Sequence, residues 1–292
     1  MAEQISKEMY NIFRHLPYPV LRFLKISFRH QRFRRALKKG ERSLQTFGHL
    51  FPNRTLFIAG LPKSGTTWLE NMLGAFPGYT IIPDPRITVW GYTQGESHSF
   101  ELSMDYFRKV HNALAIVKVH CPGSANNVQI LKELGIPYVV MYRDLRDAAV
   151  SHVFYVKRTP WHPEYPDYKK KDIRSGLAHF GNTLLSEWAD WVDGWKCNRD
   201  KNRSIITKYE EMRQQPVEVL SRIVRHYGLP DDGVASIVEK FRFDKMKQKG
   251  SFFRKGKIGD WKNHFDEHLK ALFKEKIGQF LIKEGYEKDL DW

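Results

Sequence analysis

The sequence predicts an α/β fold, a P-loop-like three-layer arrangement with a central parallel β-sheet flanked by helices. Three observations predict it. Short apolar runs of strand length recur at 55–59, 113–119, 138–142 and 204–207, each bounded by turn or charged residues. Helical patterns at 66–76, 145–157, 177–196, 216–227 and 232–241 separate them, and strands alternating with helices imply a parallel sheet covered on both faces. The first run passes through Gly60 and a compact loop straight into a helix.

In chain order, residues 5–47 read as helical. Tyr10, Phe13 and Leu16, then Leu21, Leu24 and Ile26, give apolar spacing, broken at Pro17 and Pro19. Residues 1–42 hold eleven Lys/Arg against three Asp/Glu. Residues 1–45 are therefore expected to form a basic helical extension packed on the core, with 46–292 as one domain. A solvated basic face accounts for such a charge run. Peripheral membrane contact through Phe13, Leu24, Phe28 and Phe33 amid the charges is the other expectation.

The run at 55–59 leads through Pro62 to Lys63, Ser64, Gly65, Thr66 and Thr67, and then to Trp68. Amides at a helix start and the positive end of its dipole make a seat for an anion. Lys63 adds a mobile charge and the hydroxyls add donors. A nucleoside-triphosphate loop reads G-x-x-x-x-G-K-[ST]. Gly60 and Gly65 keep that spacing, but Thr66 stands where the lysine belongs, and Lys63 precedes the second glycine. A polar turn capping an ordinary helix would use the same residue types.

Open α/β sheets bind ligands beyond the carboxyl ends of their strands. Lys118 and His120 fall at the end of the second run and Arg143 at the end of the third. Arg143 and Ser151, eight residues apart, offer a planar fork and a hydroxyl to a phosphate. Taken alone, Arg143 reads first as an ion-pair partner of Asp144 or Asp147. The stretches 80–108 and 158–176 are loop-rich and carry Trp90, Tyr92 and Trp161, aromatics suited to a binding wall. Residues 245–262 hold seven Lys/Arg against one Asp/Glu, with Gly256 and Gly259 three apart, a loop able to wrap an anion with backbone amides.

The 292 residues, 41% hydrophobic and 28% charged, fit a soluble globular chain. No apolar run approaches the roughly 20 residues of a membrane span, and the N-terminus lacks a signal-peptide pattern. Two cysteines, Cys121 and Cys197, exclude a disulfide framework and fit a reducing, cytoplasmic location. A net charge of +15, concentrated in the two basic stretches, points to an anionic partner: a nucleotide, a nucleic acid or a membrane surface. No metal-ligand spacing is present, and no metal is expected.

These motifs together resemble the cytosolic-type sulfotransferases that use 3'-phosphoadenosine-5'-phosphosulfate. The family's 5'-phosphosulfate loop, P-K-S-G-T-T-W, stands intact at 62–68, and its late signature, R-K-G-x-x-G-D-W-K-N-x-F, at 254–265. Its 3'-phosphate arginine and serine match Arg143 and Ser151. The resemblance implies that Lys63, Ser64, Gly65, Thr66, Thr67, Trp68, Arg143, Ser151, Tyr209, Phe243, Met246, Arg254, Lys255 and Gly256 hold the donor, with Trp68 and Phe243 on the two faces of the adenine. It implies that His120 is the base, that Lys63 neutralises the leaving phosphate, that Lys118 helps hold the sulfuryl oxygens and that Ser151 restrains Lys63. The product would be adenosine 3',5'-bisphosphate. The acceptor would be a small molecule carrying a hydroxyl or amine, walled by Tyr155 from its family position and by Trp90, Tyr92 and Trp161 from their aromatic character alone, and no nucleic acid is expected. The sequence departs from the family in two places. The tail after Phe265 lacks the K-x-x-x-T-V-x-x-x-E dimer segment, so the oligomeric state is open. Phe241 and Arg242 stand before Phe243, where Thr or Ser is usual.

Two other classes are weighed against this one. A P-loop phosphotransferase is opposed by the displaced lysine and by the missing acidic strand end for Mg²⁺. A non-enzymatic binder of anions or membranes would act through residues 14–42.

Overall fold

Strand β1 (Thr55–Gly60) is buried along its whole length, and its alternate residues feed two separate cores. Phe57 and Ala59 point into one, Leu56 and Ile58 into the other, as the two-residue strand period requires. The computed structural model describes residues 18–86, 100–159, 162–242, 244–245 and 256–292. The other strands are β2 (Thr80–Ile81), β3 (Ala115–Val119), β4 (Tyr138–Tyr142) and β5 (Ser204–Lys208). All pair in parallel, in the order β2-β3-β1-β4-β5. The chain runs out to one edge first and then crosses β1 to build the other. The order therefore reverses between β1 and β4, where such sheets open a crevice.

The helices in chain order are α1 (Tyr18–Phe47), α2 (Thr66–Leu73), α3 (Met104–Val110), α4 (Ala125–Glu133), α5 (Leu145–Lys157), α6 (Tyr165–Tyr168), α7 (Ile173–Thr183), α8 (Leu185–Asn198), α9 (Tyr209–Gln214), α10 (Pro216–His226), α11 (Val234–Lys240) and α12 (Glu267–Lys283). Helices α5, α7, α8 and α12 cover one face of the sheet. Helices α2, α9, α10 and α11 cover the other. The predicted three-layer architecture is the one observed.

The differences are local. The pattern at 177–196 divides at Leu184, where the backbone turns to φ −122° and ψ −20°. Helices α3, α4, α6, α9 and α12 are not expected from the periodicity, and α6 falls inside the stretch 158–176 that reads as loop-rich. Three of these start on a side-chain cap: Ser103 accepts from the Tyr106 amide at 3.3 Å, Ser124 from Asn127 at 3.1 Å and Asp266 from Leu269 at 2.9 Å. Such caps fix where a helix starts by satisfying an amide of its first turn.

Helix α1 meets the domain along one face. Phe33 is buried against Tyr106, with ring centroids 6.0 Å apart, and the Gly40 carbonyl accepts from the Leu114 amide at 3.1 Å. A Cβ at Gly40 would lie 3.0 Å from that of Ala113, so glycine permits this close approach.

Candidate active site

Beyond β1 the chain makes two left-handed excursions, Lys63 at φ 65° and Gly65 at φ 81°. That conformation is routine for glycine and unusual for lysine. The amides of Trp68 and Leu69 return to the Gly65 carbonyl at 2.8 and 3.2 Å, which starts α2 and leaves its first-turn amides at the helix end. Both glycines of the loop are sterically fixed. A Cβ on Gly60 would lie 2.1 Å from Thr66 Cγ2, and one on Gly65 would lie 2.6 Å from the Tyr209 ring. Ser64 Oγ is fully buried and has no hydrogen-bond partner among the described residues. A buried hydroxyl without a partner is costly, and here it sits in a helix-start loop suited to an anion.

Arg143 joins this loop to two others. It follows β4 and is buried. Its Nη1 donates to the Lys63 carbonyl at 3.3 Å, and its Nη2 donates to Asp147 at 3.1 Å. The guanidinium carbon lies 4.4 Å from the Tyr209 ring centroid. Its Nε is buried with no partner among the described residues. Asp147 in turn accepts from the Gly259 amide at 2.8 Å and the Trp261 amide at 2.9 Å. Burial raises the Asp147 pKa, while Arg143 and the two amides oppose that rise. One carboxylate therefore clasps the 256–261 segment onto the start of α5. Arg213 adds a further tie, Nε to the Gly256 carbonyl at 3.1 Å.

Three residues on, Arg146 has a different setting. It bonds Asp144 through two nitrogens, Nε to Oδ1 at 3.0 Å and Nη2 to Oδ2 at 2.7 Å, and pairs with Glu287. Its guanidinium carbon lies 4.0 Å from the Trp261 ring centroid and 4.5 Å from that of Trp292.

His120 stands just past β3, and its Nδ1 bonds the Gly60 carbonyl. A carbonyl only accepts, so Nδ1 carries the proton and Nε2 holds the lone pair. Desolvation, followed by the positive charges of Lys118 and Lys63, lowers the imidazole pKa to about 4. The ring is therefore neutral near pH 7. Lys118 is engaged by α2: its ammonium donates to Glu70 at 2.7 Å and to Thr67 Oγ1 at 3.0 Å. The Lys63 ammonium lies 3.8 Å from the Tyr155 ring centroid. On α5, Asp147, Ser151 and Tyr155 recur every fourth residue and so follow one another along one face. Among the described residues no hydrogen bond joins Ser151 to Lys63.

Lys63, Ser64, Gly65, Thr66, Thr67, Trp68, Lys118, His120, Arg143, Ser151, Tyr155, Tyr209 and Gly256 thus lie at or beyond the carboxyl ends of β1, β3, β4 and β5, or in the 256–261 segment that Asp147 draws to them. Trp68 is buried with its indole nitrogen donating to the Phe241 carbonyl at 2.7 Å. Tyr209 packs on Gly65. Trp90, Tyr92, Trp161, Phe243, Met246, Arg254 and Lys255 fall outside the described residues. Sequence reasoning missed Glu70 as the partner of Lys118, Arg213, and the Gly60 carbonyl that orients His120. It saw Asp147 only as a candidate ion-pair partner. Glu70 carried a faint signal, a carboxylate three residues beyond Thr67 on a helix whose first turn faces the site.

Residues 53–284 match the family model described as the sulfotransferase domain. The chain is 26% identical to mouse Sulfotransferase 1A1 over 258 residues, covering 74% of this chain and 84% of that protein. It is 24% identical to rat Sulfotransferase 1C2 over 266 residues, covering 76% and 83%. Among solved structures, mouse sulfotransferase SULT7A1 complexed with PAP superposes with a TM-score of 0.62 at 21% identity, covering 85% of this chain and 95% of that one. Retinol dehydratase in complex with androsterone and inactive cofactor PAP gives 0.54 at 18% identity, covering 82% and 85%. At these identities the structural likeness carries the fold.

Proposed function

This chain belongs to the sulfotransferase domain family, and from that premise we propose that it transfers a sulfuryl group from 3'-phosphoadenosine-5'-phosphosulfate to a hydroxyl or amine of a small-molecule acceptor, with His120 as the base. The observation that carries the reading is the neutral imidazole, held by a carbonyl of the anion loop so that Nε2 is the basic nitrogen.

The residues fit the donor. Ser64 Oγ and Arg143 Nε are buried polar atoms whose hydrogen-bonding capacity goes unused among the described residues, and anionic oxygens would use it. In this reading Ser64, Gly65, Thr66, Thr67 and Lys63 hold the 5' side and Arg143 with Ser151 the 3'-phosphate. Trp68 offers its ring to the adenine, its indole nitrogen tied back to Phe241. Tyr209 supports the loop from beneath. Phe243, Met246, Arg254 and Lys255 would complete the donor site, with Gly256 beside them.

When bound, the donor supplies an activated sulfuryl group and a leaving phosphate oxygen that gains negative charge. Lys63 and the first-turn amides of α2 oppose that charge. His120 takes the acceptor's proton at Nε2, and the Gly60 carbonyl stabilises the imidazolium through the Nδ1 proton. Lys118 keeps a positive charge beside the reacting oxygens, with Glu70 and Thr67 fixing where it points. Tyr155 walls the acceptor, joined in this reading by Trp90, Tyr92 and Trp161.

His120→Ala is expected to lower turnover by about 10²- to 10⁴-fold. Its affinity for adenosine 3',5'-bisphosphate, measured by calorimetry, stays near that of the parent. Near-normal turnover in the variant would remove the base assignment. The donor class has its own check: adenosine 3',5'-bisphosphate, without Mg²⁺, raises the melting midpoint, and ATP does not.

A further inference from the structure

Helix α1 has two unlike faces. One is fixed to the domain through Phe33, Ala36, Leu37 and Gly40. The other carries Val20 (43% exposed), Phe23 (69%) and Phe28 (51%). These are three of the seven large hydrophobics most exposed among the described residues, and they fall within nine positions of one helix. Beyond them Arg34, Arg35, Lys38, Lys39 and Arg42 are all exposed. None of those five has an ion-pair or hydrogen-bond partner among the described residues. Over its thirty residues α1 has nine Lys/Arg and one acidic residue, Glu41. It is not long and apolar enough to cross a membrane.

We infer that α1 seats the protein on an anionic lipid bilayer, with Val20, Phe23 and Phe28 entering the boundary between headgroups and acyl chains and the basic turns that follow lying against lipid phosphates and carboxylates. Charge complementarity selects the partner. A basic helix with exposed aromatics lies in the plane of an anionic interface, and each signal alone is weak. A nucleic-acid duplex would satisfy the basic turns, but its stacked bases leave no apolar phase for Val20 and the two phenylalanines at the other end. The arrangement also has a direction. Arg29, next to Phe28, donates to the Asp84 carbonyl at 2.9 Å, and its charge reaches His120. The docked half of α1 therefore carries a charge that is felt at the base. If the sulfuryl-transfer reading holds, a hydroxylated amphiphile dissolved in the bilayer meets the acceptor side of the site.

The test is co-sedimentation of the full chain with vesicles of phosphatidylcholine alone and of phosphatidylcholine with about 30% phosphatidylserine, at low and high salt. Binding is expected only on the anionic vesicles and weakens as salt rises. Replacing Phe23 and Phe28 together by Ser lowers the partition coefficient roughly tenfold or more. Replacing Arg34, Arg35 and Lys38 by Glu abolishes binding. Both variants keep the parent's circular dichroism and its turnover of a water-soluble acceptor, which separates lost docking from lost folding. Absence of anionic-vesicle binding would overturn the proposal, as would binding indifferent to the phenylalanines or equal binding to neutral vesicles. Salt-sensitive binding to duplex DNA that ignores the phenylalanines, without vesicle binding, would overturn it in favour of a nucleic acid. Sedimentation requires no turnover, so failure of the transfer reading leaves this result interpretable.

Discussion

Residues 143–147 contain the same dipeptide twice, Arg143-Asp144 and Arg146-Asp147, and the fold gives the two copies opposite work. The pairing crosses over: Arg146 reaches back to Asp144, while Arg143 reaches forward to Asp147. Arg146 is closed off by Asp144, Glu287 and two tryptophan faces. Arg143 retains a buried nitrogen without a partner among the described residues, and its carboxylate also holds the 256–261 segment. A buried cation whose every nitrogen has a partner belongs to the scaffold. One left incomplete at the end of a strand is prepared for something else.

The largest expected effect tests the scaffold half of this contrast. Arg146→Ala leaves Asp144 and Glu287 without their buried partner and is expected to cost about 3–5 kcal/mol of stability, read as a fall in the melting midpoint. Arg143→Ala reverses the pattern. Donor affinity falls about 10- to 100-fold by calorimetry, and the melting midpoint of the unliganded protein moves far less than in Arg146→Ala. Equal destabilisation of the two variants with unchanged donor affinity would erase the distinction. Asp147→Asn weakens the clasp without removing the arginine, so about a tenfold loss of donor affinity is expected, together with faster proteolysis within 256–261.

The smallest effect is electrostatic. Burial first, and then the cations Lys118, Lys63 and Arg29, hold the His120 pKa down to about 4, so an anion bound among those cations raises it. Titration of the imidazole by NMR is expected to show a higher pKa with adenosine 3',5'-bisphosphate than without. The sign also governs stability. A histidine depressed in the folded state binds fewer protons there than in the unfolded chain. Its contribution is intact above about pH 6.5 and declines as pH falls toward 4. His120→Ala flattens that part of the stability profile.

Much of this was legible before the fold was known. The loop at 62–68, the strand-end residues Lys118, His120 and Arg143, and Gly256 were named from residue type and spacing, because loops at strand ends carry their chemistry in short contiguous motifs. What stayed hidden depends on separation in the chain. Glu70 meets Lys118 across 48 positions, and no local pattern announces that. Asp147 holds amides 112 and 114 residues away, so in sequence it looked only like an ion-pair partner for Arg143. The Gly60 carbonyl is a backbone group, invisible to any reading by side chain. Strand β2 is two residues long, too short for a period to register. Helix α12 buries Leu269, Phe273, Ile277, Phe280 and Leu281 on one stripe.

The bond from the His120 ring to the Gly60 carbonyl has a consequence for redesign. Gly60 cannot accept a larger side chain without colliding with Thr66, and its oxygen aims the imidazole. The proposed acceptor wall around Tyr155 lies outside this coupling and is expected to tolerate recarving. If the proposed roles hold, the two tasks of proton removal and phosphate grip meet at Gly60 alone, so a substitution there is expected to spoil both, whereas one at His120 spoils only the first.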